Sequence, residues 1–156
     1  MAKKSYIPEG YHNVTPSLSF KGTEEALIWY KNVFGAKEKT KIEGSDRKVM
    51  HAEMTIGDSM FFLAEENPKY KNKTPQSSNG NSISLHLYVE DVDDTVKKAV
   101  QNGATLVMPT MDMFYGDRCG CIDDPFGYTW VVATHVKDVS EKEMRKKAEE
   151  FTPEHA

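Results

Sequence analysis

The chain has 156 residues, with 24 acidic against 20 basic side chains and a formal net charge of −4 at pH 7. That length holds a hydrophobic core without staples, and the acidic balance excludes the basic footprint of a nucleic-acid-binding protein. No run approaches the roughly 20 apolar residues of a membrane span, and MAKKSYIPEG lacks the apolar stretch of a secretory leader, so a cytoplasmic protein without nucleic-acid or membrane partners is expected.

The arm up to His12 carries Pro8 and Gly10 and reads as irregular. Thr15 to Phe20 alternates apolar and polar residues, with Pro16, Leu18 and Phe20 on one side and Thr15, Ser17 and Ser19 on the other, which predicts a half-buried strand. Thr23 is the expected helix cap, followed by Glu24 and Glu25 where the macrodipole favours acids. Ala26, Leu27, Tyr30, Val33 and Phe34 form an apolar stripe at helical spacing, and Gly35 ends it. Strands are expected over Lys37 to Ile42, Lys48 to Thr55 and, after the Gly57-Asp58 turn, Met60 to Ala64. Lys37, Lys39 and Lys41, like Lys69, Lys71 and Lys73, read as solvated surface charge.

ENPKYKNKTPQSSNGNS, about residues 66–81, is polar and rich in Asn, Ser, Lys and Pro and reads as a linker. Beyond it a strand is expected over Ile83 to Val89, then a helix capped by Asp91 with Val92, Val96, Ala99 and Val100 facing inward, ended by Asn102-Gly103. Thr105 to Met108 is a short strand, Met111 to Gly116 an aromatic loop, and Arg118 to Ile122 and Tyr128 to Thr134 are strands joined by the DDPFG turn. A last helix, about residues 140–151, starts at a Ser140/Glu143 capping box and shows a thin apolar edge of Met144, Ala148 and Phe151. Cys119 and Cys121 read as thiols, because a CxC disulfide is strained.

The order repeats. Strand, helix, Gly-Ala and three strands occupy about residues 12–65 and again about 82–136. The helices end in FGA and NGA, and the last strands follow the glycine turns IGDSMFFLA and FGYTWVVAT. With VMHAEMTIGDS, SISLHLYVEDVD and FYGDRCGCIDDPFGYTWVVATHVKDVS, this pattern resembles the vicinal-oxygen-chelate superfamily of glyoxalase I, bleomycin- and fosfomycin-resistance proteins and extradiol dioxygenases, and within it the PhnB-like, glyoxalase-like branch.

The resemblance implies an α+β fold: two tandem βαβββ modules forming a cup-shaped curved sheet, plus the C-terminal helix, in one domain over residues 1–156. It implies a small-molecule ligand in the cup, a homodimer, and in many members a divalent metal held by His and Glu on the first and last strands of each module. Counted from the landmarks, those positions are Thr15 and Ser84, and Phe61 and Val131. None carries a good ligand for a transition metal, which argues against glyoxalase I activity.

Other residues can supply chemistry. His51 and Glu53 share a strand face, and with His86 they form either an unconventional metal site or a polar network including Arg118. Ser17, Ser84, His86 and Tyr88 point to the face opposite the helices, with Tyr115 and Arg118 at the entrance to the second module's third strand. Arg118 is either an anion clamp or a partner of Asp117, Asp123 or Glu53. Trp130 belongs with Val132 in the core, and Met108, Met111 and Met113 line a pocket or fill gaps. Two functions are open. One is an enzyme acting on a small oxygenated metabolite, with His51 or Glu53 as base and Arg118 as clamp, in a lyase or isomerase reaction with or without metal. The other is a metal-free binding or sequestering protein of the bleomycin-resistance type.

Overall fold

The computed structural model describes residues 5–150. The chain divides into two compact units, Met1–Gly80 and Asn81–Ala156, each holding one βαβββ module. The first contains β1 (Ser17–Phe20), α1 (Thr23–Phe34), β2 (Lys37–Glu43), β3 (Val49–Ile56) and β4 (Ser59–Glu65). The second contains β5 (Ser84–Tyr88), α2 (Val92–Gln101), β6 (Thr105–Asp112), β7 (Asp117–Asp123) and β8 (Thr129–His135), followed by α3 (Glu141–Glu150). The sheets have matching orders, β1-β4-β3-β2 and β5-β8-β7-β6, with one parallel pair in each, β1 with β4 and β5 with β8. The expected α+β class and the paired modules are both present.

Each helix covers one face of its own sheet. In the first unit Leu18, Phe20, Ala52, Met54, Phe61 and Leu63 meet Ala26, Leu27, Tyr30 and Val33, all buried. In the second, Ile122, Trp130 and Val132 meet Val92, Val96 and Ala99. The period-two alternation of the strands puts the intervening residues on the opposite face, where the polar groups collect.

Several local expectations change. Thr23 is the first residue of α1, not its cap. The cap position is Gly22, at φ 87°, and Glu65 from the end of β4 supplies the acceptor instead. Its Oε1 accepts from the N–H groups of Gly22 and Thr23 at 3.0 and 2.7 Å and from the Thr23 hydroxyl at 3.0 Å. The buried stripe of α1 widens to Trp29, whose ring packs edge-on against Tyr30 and Phe34. In α2, Asp91 caps as expected, accepting from Asp94 N–H at 3.0 Å, whereas Val100 lies exposed.

β6 runs through Pro109 to Asp112, four residues beyond the expected end at Met108. Its pairing with β7 slips on both sides of Met108, and an irregular edge strand tolerates a residue that cannot donate to the ladder. Much of the linker is structured on the first unit: Glu66 accepts from Thr74 N–H at 3.0 Å and from the Ser77 hydroxyl at 3.2 Å, and it pairs with Lys21 at 3.4 Å. The Ser140 hydroxyl accepts from Glu143 N–H at 3.2 Å and starts α3, none of whose residues is buried; Phe151 lies outside the described residues.

Candidate functional site

In the first unit the open face of the sheet centres on Glu53, in the middle of β3. Glu53 is buried, 7% exposed. Its Oε2 accepts from the Tyr11 hydroxyl at 2.6 Å, and its Oε1 lies 3.0 Å from His51 Nε2. Burial alone would raise the carboxyl, but the bonds from Tyr11 and His51 and the charge of Lys39 outweigh it and hold Glu53 below its ordinary range. An ionised carboxylate only accepts, so the His51 nitrogen that faces it, Nε2, carries a proton, and in the neutral imidazole Nδ1 is then the lone-pair nitrogen. Phe62 of β4 stands edge-on to the His51 ring at 4.9 Å between centroids and is tilted against Tyr11 at 6.3 Å. Ser17 pairs with Phe62 in the β1–β4 register and lies exposed beside it.

The open face of the second unit holds an analogous cluster built from other positions. Asp117, 4% exposed, accepts from the Tyr88 hydroxyl at 2.8 Å on Oδ2 and lies 2.7 Å from His135 Nδ1 on Oδ1. The other imidazole nitrogen, Nε2, lies 2.7 Å from Asp138. Flanked by Asp138 and Asp117, His135 is held above its ordinary range. Burial would raise Asp117, but His135 and Tyr88 bring it below its usual value. The His86 ring tilts against Tyr88 at 4.9 Å, and the Tyr115 hydroxyl sits 3.5 Å from Cys119 Sγ, with burial pushing the phenol up. Ser84 lies exposed at the start of β5. A depression of about 660 Å³ opens beside this cluster, lined by Tyr88, Val89, Glu90, Thr134 and His135.

Arg118 is not on this face. It shares the helix side of β7 with Gly120 and Ile122, and its guanidinium meets Asp93 of α2 at 2.8 and 3.0 Å and Asp112 at 3.3 Å. The same contact lowers Asp93 to about 2. The expected partners Asp117, Asp123 and Glu53 are replaced by these two carboxylates, because strand parity turns Arg118 away from Asp117 and Asp123. With its fork occupied, Arg118 is a structural clamp between α2 and β6. Trp130 is core as expected, 4% exposed, with its Nε1–H on Asp124 Oδ2 at 2.9 Å. A larger depression in the first unit, about 950 Å³, lies at the end of the sheet between residues such as Lys21, Glu25, Arg47 and Asn72. It contains neither His51 nor Glu53 and mixes both charge signs, so the candidate chemistry lies elsewhere.

Tyr11, Phe62, His135 and Asp138 escaped the sequence reading. Tyr11 sits in a stretch without periodicity. His135 was within reach: counting by twos from Val131 along β8 puts it on the open face.

The family model of the glyoxalase/bleomycin resistance protein/dioxygenase superfamily matches residues 16–132. The chain belongs to that superfamily. An uncharacterised protein of Mycobacterium tuberculosis is 34% identical over 140 residues, covering 85% of this chain and 82% of its own. A crystal structure from Arabidopsis thaliana superposes with a TM-score of 0.63 at 25% identity, covering 79% of this chain and 98% of that one. The PhnB protein from Bacillus cereus superposes with a TM-score of 0.63 at 21% identity, covering 79% and 99%.

Membership raises the question of a divalent metal, and the positions reserved for it in the superfamily do not fit one. Phe61 packs edge-on against Tyr30 of α1 at 5.5 Å, so the residue facing the open side is Phe62, one position on from the expected count. With Thr15 and Ser84 as hydroxyls and Val131 as an isopropyl group, the corrected set still offers no imidazole or carboxylate. Within each unit, no group of three or more His, Cys, Asp or Glu among the described residues gathers to hold a metal.

Proposed function

We propose that this superfamily member binds a small oxygenated metabolite against the open sheet faces and moves a proton on it, with His51 as the base. The observation that carries the reading is the Tyr11–Glu53–His51 arrangement. A buried, ionised carboxylate fixes the imidazole tautomer and leaves Nδ1 without a hydrogen-bond partner among the described residues. Glu53 then orients His51 and stabilises the imidazolium formed when Nδ1 takes a proton, a lyase- or isomerase-type step that needs no metal. Ser17 on the open face of the first unit's sheet, and Ser84, His86, Tyr88 and Tyr115 of the second unit, are proposed to contact the ligand. The chain is proposed to act as a cytoplasmic homodimer, and sedimentation at micromolar concentration checks the dimer.

The test is a turnover screen over small carbonyl and hydroxy compounds. His51→Ala should lower turnover by about 10²–10⁴-fold, the usual contribution of general base catalysis. Full activity in that variant would refute the role.

A second reading is a binding or sequestering protein of the bleomycin-resistance type. The unsuitable metal positions and the aromatic wall of Tyr11, His51 and Phe62 favour it. Saturable ligand binding without product formation in the same screen would select it.

A further inference from the structure

We propose that the ligand received at the His51 face carries a carboxylate or similar anionic group, and that Lys39 is the residue that selects it. The proposal rests on placing the ligand at His51.

The alternation of KEKTKIE suggests three equivalent surface lysines, but the structure gives them different situations. Lys41 is committed to carboxylates, with Glu24 at 3.2 Å and Glu43 at 3.4 Å. Lys39 stands where the β2–β3 register slips, between Glu38 and Thr40, and has no opposite number on β3. A bulge of this kind re-aims a side chain. Here it lays the ammonium 4.0 Å over the ring of Tyr11, the residue bonded to Glu53. Among the described residues Lys39 has no ion pair. Its charge acts on Glu53 without an ion pair between them, and the Glu53 oxygens accept from Tyr11 and His51. The result is a cation with open hydrogen-bonding capacity, held by an aromatic ring beside the candidate base and the Phe62 ring. An anion on a planar or apolar body matches this set: the ring rests against Phe62 and Tyr11, and the charge meets Lys39.

The probe is benzoate, with benzamide as its neutral isostere, titrated into labelled protein while the side-chain signals of Tyr11, His51 and Phe62 are followed. Benzoate should shift these signals saturably and bind at least about tenfold more tightly than benzamide, the size of a hydrogen bond to a charged group. Lys39→Met should bring benzoate down to the benzamide level, and Lys39→Arg should preserve the preference. Equal binding of the two probes, a preference that survives Lys39→Met in a protein with an unchanged amide spectrum, or no saturable shift would each overturn the proposal. His51→Ala should keep the preference, read on Tyr11 and Phe62. A failed turnover screen with that preference intact therefore removes the catalytic reading and leaves Lys39 in place.

Discussion

The Tyr11 hydroxyl donates to Glu53 Oε2 at 2.6 Å across 42 positions of sequence, fastening an irregular arm to the centre of β3. Tyr11→Phe keeps the ring and removes the donor, leaving a buried carboxylate oxygen short of its partner. The expected loss is about 1–3 kcal/mol in urea unfolding. Wild-type stability in this variant would show that the bond contributes nothing.

The same carboxylate gives an acid limb to stability. Glu53 sits below its unfolded value of 4.5, so its contribution is complete above that pH and is lost as pH falls through the folded value. Glu53→Gln should flatten the stability curve below about pH 4.5. An unchanged acid slope in denaturation across that range would rule this out.

His135 behaves oppositely. Its folded pKa lies above 6.5, raised by Asp138 and then Asp117, so its contribution is complete below 6.5 and is lost as pH rises through the folded value. Asp138→Asn should lower the imidazole titration, followed by the His135 ring protons in NMR. An unmoved midpoint would mean that Asp138 does not hold the ring in solution.

Gly116 precedes Asp117 at φ +99°, and a Cβ built there would come within 2.1 Å of the Lys137 carbonyl oxygen. Gly116→Ala combines left-handed strain with a backbone clash, and a loss of about 1–3 kcal/mol is expected from the strain alone. Thermal unfolding measures it. The His135 midpoint should move as well, because the turn sets the position of Asp117.

Glu65→Gln tests the borrowed cap of α1. The amide oxygen can still accept, but without charge at the positive end of the helix, so a loss of about 0.3–1 kcal/mol is expected. Glu65→Ala should cost more. Equal stability of all three proteins would show that the helix start needs no acceptor.

The repeat made the fold legible. Helix stripes with period near 3.6, strand alternation and glycine stops recur in both halves, and a pattern stated twice is hard to misread. The misses have local causes. The strand expected to end at Met108 continues through Pro109 to Asp112, where its pairing with β7 is irregular. A single-residue slip in counting β4 exchanged Phe62 for Phe61, and the same parity rule shows why that one step changes the face.

The candidate site was half legible. His51 and Glu53 announce themselves as an HxE pair on one strand face, and they do meet. Tyr11 could not be placed, because nothing periodic ties it to β3. Arg118 offers two roles by its chemistry, anion clamp or ion-pair partner, and Asp93, in the first turn of α2, claims it. The two Tyr–carboxylate–His clusters are not copies of each other. Registering Phe62 with Val131 makes Cys121 the counterpart of Glu53 and Val49 the counterpart of Asp117. Similar chemistry has been assembled at different points of the repeated frame.

The helix caps differ in a way that bears on the order of assembly. Asp91 lies three residues from the amide it caps, so α2 carries its start signal with it as the chain is made. The signal for α1 arrives with Glu65, 42 positions after Thr23 and only once β4 has been laid down. Identical architecture therefore conceals different folding programmes. The second helix can consolidate locally, while the first must wait for its sheet, and pulse-labelled hydrogen exchange should find α2 amides protected before those of α1.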